Sequence, residues 1–322
     1  MARRFATSGG KAVGLSFDLQ RLKPYVRSMP GPTQIFDRAL LDQRRRRALR
    51  LGPADFLLRR TAEDLVDRLA AVKRQFQLAV ELGSALPTLA DRLLASGQVE
   101  RIVRMDRAAA DADVAGDEEA LPFGLGSLDL VVSALALQFI GDLPGTFAQI
   151  RRALKPDGLF LAAFLGGDTL TELRASLAAA EAELTGGASP RVAPFAELRA
   201  IGSLLQRAGF ALPVVDDERV IVRYPDAIAL MRDLRAMGAG NPLVERTRRP
   251  LRRSVLFRAV EIYGERFADA DGRIRATFDI ISLSGWAPHE SQPKPLRPGS
   301  AKMRLAEALG TVERSAGEKA GG

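Results

Sequence analysis

Apolar positions along this 322-residue chain change their period several times, and each change predicts an element. From Ile35 to Val72 they recur at helical spacing, as in Phe56, Leu57, Leu65, Val66, Leu69 and Val72. That stripe predicts an N-terminal helical cap over 34–74, lying on a sheet face or across the mouth of a crevice. Compact apolar runs then predict strands at 76–82, 100–105, 128–134 and 158–165, separated by helical patterns at 88–95 and 143–154. Such alternation implies parallel strands joined by right-handed crossovers.

The stretch from Asp106 to Leu128 is short and polar, so a clipped third strand is expected near Asp113 to Gly116. Further on, the pattern predicts helices at 168–184 and 194–208, a strand at 218–223, helices at 225–238 and 245–267, and a final strand at 274–284. The organisation expected is a disordered extension over 1–33, the helical cap, an α/β domain over 75–292 with a helical insertion at 166–270, and a disordered tail over 293–322 rich in Pro, Gly and charge.

The order strand, Gly83, helix, strand, Asp106 describes half of a nucleotide-binding crevice. A glycine after the first strand allows a sharp turn, and the next helix directs unpaired N–H groups at a ligand. An acid ending the second strand can accept from two ribose hydroxyls. Glu81, Gly83 and Asp106 fit these roles, although a strand cap and a solvated acid explain the last two equally in kind. The turn reads ELGSALPTLADRLL, so the later glycines of a dinucleotide fingerprint are missing, and Ala85 places a methyl where a ligand favours bare backbone.

Composition narrows the chemistry. There is no cysteine and one histidine, His289, which removes disulfides, thiol nucleophiles, iron–sulfur ligation, Cys/His zinc sites and a two-histidine iron triad from this chain alone. No metal site is expected. The net charge is +8, with an arginine run at Arg44 to Arg47. Without a nucleic-acid module, that charge reads as a solvated or protein-docking surface rather than a nucleic-acid site. No run reaches the roughly 20 apolar residues of a membrane span.

The segments DEEALPF (117–123), SLDLVVSALALQF (127–139) and LKPDGLFLAAF (154–164) resemble class I S-adenosylmethionine-dependent methyltransferases, and this half is similar to the malonyl-carrier-protein methyltransferase group. GGDTLTELR (166–174), GGASPRVAPF (186–195), YPDAIALMRDLRAMGAGN (224–241) and GWAPHESQ (285–292) together resemble a mitochondrial complex I assembly-factor family described as arginine hydroxylases, with its alphaproteobacterial methyltransferase-like relatives. The resemblance implies a Rossmann-like class I methyltransferase fold, mostly parallel with helices on both faces. It also implies S-adenosylmethionine as cofactor and a protein substrate, a respiratory complex I subunit. The location implied is the cytoplasm of a bacterium or the mitochondrial matrix of a eukaryote, with peripheral membrane association through the complex.

Carried over by position, Glu81, Gly83, Ser84 and Asp106 bind cofactor, with Asp117 and Glu118 near the adenine. Asp168 and Arg174 lie beyond the fifth strand and are read as facing the acceptor. Thr169 with Glu172 forms a T-x-x-E capping box for the next helix. Gln138, past the fourth strand, either orients an acceptor or caps a helix. His289 beside Glu290 is either a general base with its carboxylate, next to substrate, or a structural group. Three activities are left open: methyl transfer, arginine hydroxylation, and a non-catalytic assembly chaperone that has lost the cofactor.

Overall fold

A computed structural model describes residues 34–83, 85–293 and 310–311. The extension expected over 1–33 and nearly all of the tail expected over 293–322 lie outside the described residues. Two helices come first, α1 (Arg38–Leu51) and α2 (Phe56–Ala70). The alternating part follows as β1 (Phe76–Leu82), α3 (Thr88–Ala95), β2 (Val99–Asp106), β3 (Val114–Ala115), β4 (Leu128–Ala134), α4 (Leu143–Ala153) and β5 (Leu154–Leu165). After it come α5 (Thr171–Thr185), α6 (Leu198–Arg207), β6 (Ala211–Tyr224), α7 (Ala227–Ala236), α8 (Arg253–Phe267) and β7 (Ile274–Trp286).

The strands form one sheet in the order β3-β2-β1-β4-β5-β7-β6. Strands β1 to β5 are mutually parallel, and β7 runs antiparallel between β5 and β6. This is the Rossmann-like class I methyltransferase fold expected from the sequence. The chain reverses its order of addition between β1 and β4, and at such a switch point two neighbouring strands diverge into helices on opposite faces, leaving a crevice at their carboxyl ends.

Period-2 alternation in the central strands divides the core into two layers. Leu130, Val132, Leu159, Leu161 and Phe278 face α2, α3, α5 and α8, burying Leu65, Leu69, Leu93 and Tyr263. Val131, Phe160, Phe164 and Leu283 face α4 and α6, burying Phe147, Ile150, Ile201 and Leu205. On this second face Phe160 meets Phe147 edge-on at 5.5 Å and stacks on Phe210 at 5.6 Å.

Three readings from the pattern need correction. Strand β6 starts seven residues before the expected 218, so the segment 166–270 contains an edge strand as well as helices. Its acidic run Asp216-Asp217-Glu218 hid it. On an edge strand, however, residues 216 and 218 share a face, where they pair with Arg68 and Arg60 of α2. The helix expected from 245 begins only at Arg253, after Pro250, because the residue before a proline is kept out of the helical region.

The capping box at Thr169 and Glu172 does not form, since α5 has no side-chain cap and is preceded by Leu170 at φ +56°. Instead, Thr169 Oγ1 accepts from Asp279 N (3.1 Å), and the buried Glu172 carboxylate accepts from Thr277 N (3.1 Å) and Thr277 Oγ1 (2.5 Å). The start of α5 is thereby fastened to β7. Replacing Glu172 by Ala leaves two buried donors on Thr277 unpaired, so urea unfolding of Glu172→Ala is expected to show a loss of about 3 kcal/mol. An ordinary cap would cost about 1 kcal/mol.

Candidate functional site

At the switch point β1 ends in Gly83, whose φ of +74° suits glycine and whose N–H donates to Met105 O at 2.8 Å. A methyl group at Gly83 would lie 2.6 Å from Ala136 Cβ and 2.9 Å from Glu118 Oε1. The turn therefore has no room for a side chain. Strand β2 ends in Asp106, which is fully buried. Its Oδ1 accepts from Ala108 N (2.6 Å) and Ala109 N (2.7 Å), which fixes the carboxylate, while Oδ2 is buried with no partner among the described residues. Glu81 is buried within β1, and Ser84 lies outside the described residues.

Beyond β4 the chain passes through Leu135 at φ +50° and a 3-10 turn, Leu137–Phe139. Gln138 Nε2 donates to Leu135 O (2.7 Å), which leaves its buried Oε1 without a partner. Gln138, Leu135, Phe139, Gly83, Ala85 and Leu165 line a cavity of about 120 Å³. Helix α1 covers it with Arg45, Ala48 and Leu49, together with Ala236 to Ala239 at the end of α7.

Next to this cavity, α1 is tied down by charge. Arg38 pairs with Asp117 (2.5 Å), Glu118 and Glu119 (3.2 Å), while Arg107 bridges Asp42 (3.0 Å) and Asp117 (3.3 Å). The Glu118 side chain is 3 % exposed and that of Arg38 is 12 % exposed. The end of the crevice assigned to adenine is thus filled by a buried ion pair. The neighbouring cavity, at about 120 Å³, is smaller than the roughly 300 Å³ at which small-molecule pockets begin.

Of the residues singled out in the sequence, Glu81, Gly83, Asp106, Asp117, Glu118 and Gln138 are brought together around this switch point. The others are not. Asp168 is exposed and pairs with Arg219 on the edge strand, a cation also held by Asp279 at 3.0 Å. Arg174 donates to the carbonyls of Thr169 (3.3 Å) and Ala193 (3.4 Å), so it braces a loop. His289 and Glu290 lie at the wrong end of the sheet. Because β7 is antiparallel, its last residue, Trp286, pairs with Leu159 near the amino end of β5. There Gln292 donates to Asp157 Oδ1 (2.9 Å) and His289 Nδ1 meets Ser291 Oγ at 2.7 Å.

Sequence reasoning missed Arg38, Arg45 and the end of α7. A signal was present, since Arg38, Leu41, Arg45 and Ala48 follow helical spacing, with Leu41 and Ala48 buried and the two arginines partly buried on the same stripe. Their charges disguised an inward face.

A family model described as a methyltransferase domain matches residues 83–162, which run from the turn through β5. The mitochondrial arginine-hydroxylase NDUFAF5 of Danio rerio is 38% identical over 287 residues, covering 85% of this chain and 89% of the fish protein. The human protein of that name is 36% identical over 326 residues, covering 97% and 90%. The chain belongs to the NDUFAF5 family. It is also 35% identical over 245 residues to a malonyl-[acyl-carrier protein] O-methyltransferase of Methylovorus sp., covering 76% of this chain and 75% of that protein. NDUFAF5 relatives therefore match the helical cap and the segments after β5 as well as the shared nucleotide-binding half.

Burial raises the proton affinity of Glu118 above the ordinary glutamate range, against the pull of Arg38 and Arg45. The folded chain then binds this proton more tightly than the unfolded one. The resulting stability is present below the unfolded value of about 4.3 and is lost as pH rises through the raised folded value. Glu118→Gln removes this titration, so melting temperatures compared from about pH 4 to about pH 7 should fall less steeply in the variant than in the parent.

Proposed function

We propose that this NDUFAF5-family protein binds S-adenosylmethionine at the β1/β4 switch point and modifies an arginine side chain of a protein substrate, a subunit of respiratory complex I. The observation that carries the cofactor reading is Asp106 Oδ2, a buried acceptor with no partner among the described residues, held rigid by two backbone donors beside a turn with no room for a side chain. Buried acceptors are rarely left unpaired, and a ribose hydroxyl satisfies this one. Gly83 without a side chain allows close approach of a ligand, and the resemblance assigns Asp117 and Glu118 to the adenine. The cofactor, when bound, supplies an electrophilic methyl on a sulfonium.

The substrate side of the cavity has complementary chemistry. Gln138 Oε1 is a fixed, unpartnered acceptor among apolar walls, which suits the N–H donors of a guanidinium. The relatives matched over nearly their whole length are named arginine hydroxylases, and this favours arginine as the target. Hydroxylation places one oxygen atom of O2 in a C–H bond, and two electrons and two protons from an external reductant carry the other oxygen atom to water. Methyl transfer asks the protein only to align a nucleophile with the methyl and exclude water. The compartment proposed is the one in which the complex is assembled, the mitochondrial matrix or the bacterial cytoplasm.

Calorimetric titration with S-adenosylmethionine is expected to give saturable binding, weakened at least roughly tenfold in Asp106→Asn, which keeps the Oδ1 turn but turns Oδ2 into a donor. Equal affinity in the variant would remove Asp106 from the site. With a substrate subunit and a reductant present, an arginine-containing peptide gaining about 16 Da identifies hydroxylation and about 14 Da methylation. Cofactor binding with neither mass change would leave the modifying role without support.

A further inference from the structure

A second cleft, of about 480 Å³, lies on the other side of α1 from the crevice. Its walls are Arg44, Arg47 and Leu51 of α1, facing Arg232 and Arg235 of α7, and Gly238 and Gly240 belong to the connection after α7. No acidic residue lines it. Among the described residues, none of the four arginines makes an ion pair, whereas Arg59, Arg60 and Arg68 of the neighbouring α2 all do.

Arg44 is the anchored member. It is partly buried, donates to Asn241 O at 2.7 Å, and lies so close over Gly240 that a methyl there would be 3.1 Å from its Nη1. Arg47, Arg232 and Arg235 are exposed and free to turn inward. Four cations around one concavity repel each other, and low-dielectric walls concentrate their field. An anion that enters relieves both effects.

The cleft also adjoins the crevice. Ala48, Ala236 and Gly238 line both, so the two are separated only by the thickness of this shared wall. A methyl at Gly238 would be 3.0 Å from Arg45 Cα, which shows how tightly the connection after α7 is pressed onto α1. A polypeptide that puts one side chain into the cavity has to run over this rim, and the cleft is where its next residues fall.

We infer that the cleft between α1 and α7 is a docking site for an acidic stretch of polypeptide flanking the residue that is modified. This rests on the reading of a protein substrate, and it names the chemistry that such a substrate carries beside its target. Guanidinium groups bind carboxylates through paired N–H donors, and four arginines span several carboxylates in series, as a single small anion does not.

The test uses a short fluorescein-labelled peptide of alternating glutamate and serine, titrated by fluorescence anisotropy against the full chain without cofactor. Binding is expected to weaken as salt rises and to weaken roughly tenfold in the double variant Arg232→Gln/Arg235→Gln. Arg47→Gln on the facing wall is the second variant and should act in the same direction. The double variant Arg151→Gln/Arg152→Gln removes equal charge from α4, on the opposite face of the sheet, and should leave affinity unchanged. The inference is overturned by absence of binding, by equal weakening in the α4 variant, or by displacement of the peptide by equimolar inorganic phosphate. No cofactor or turnover enters this measurement, so its failure is separate from failure of the S-adenosylmethionine titration.

Discussion

The pairing of Arg38 with Glu118 against Gly83 is the contact on which the arrangement of the site depends. A carboxylate this deeply buried needs a partner, because breaking a buried pair by removing one member costs about 3–5 kcal/mol. The partner comes from α1, an element outside the nucleotide-binding half. The pair therefore holds one end of α1 over the switch point, while close packing of the connection after α7 on Arg45 holds the middle. With α1 located twice, its inner stripe becomes a wall of the cavity.

The second determining feature is the direction of β7. An antiparallel strand between β5 and β6 returns the chain to the amino ends of the parallel strands, so the described residues directly after it, up to 293, lie away from the crevice. This turns GWAPHESQ from a candidate catalytic segment into a closure of the β5 entry, where Ala287 N donates to Gly158 O at 2.8 Å. The same strand accounts for GGDTLTELR. Gly166 continues pairing with Asp279, and a methyl there would be 2.7 Å from Ile281, so the glycine is needed for close packing against β7. Thr169 and Glu172 then fasten the start of α5 to β7.

The central alternation was legible because strands buried on both faces have unbroken apolar runs, and Phe76–Leu82, Leu128–Ala134 and the Gly83 turn stand where the pattern puts them. The first half of strand β6 was not, because an edge strand can place acids such as Asp216 and Glu218 on its covered face when a helix supplies arginines. At the switch-point crevice the Gly83 turn and the acid Asp106 that ends β2 were legible, because they depend on local chain geometry. Its closure was not, because Arg38 and Glu118 are 80 positions apart in sequence and each looks like a surface charge in its own segment. His289 misled for a related reason. Position after the last strand suggests a site only when the direction of that strand is known, and the pattern of apolar residues carries no direction.

Helix α1 has two functional faces seven residues long in period, and this gives the protein a physical link between its two ends. Arg45, Ala48 and Leu49 line the crevice and Arg38 pairs with Glu118 beside it, whereas Arg44, Arg47 and Leu51 line the arginine-rich cleft. A helix moves as a rigid body over this length. On the proposed reading, a ligand that drew Glu118 away from Arg38 would shift the wall of the cleft, and an acidic segment gripped by Arg44 and Arg47 would bias the position of Arg38. Because such coupling is a free energy shared between two binding equilibria, it has to be reciprocal: whatever one occupant contributes to the other's affinity is returned in equal measure. A lid held by charge at one edge and read by charge at the other can thus keep the crevice narrow until a polypeptide is in place, which suits an enzyme whose chemistry requires that water be kept out until the target side chain has entered.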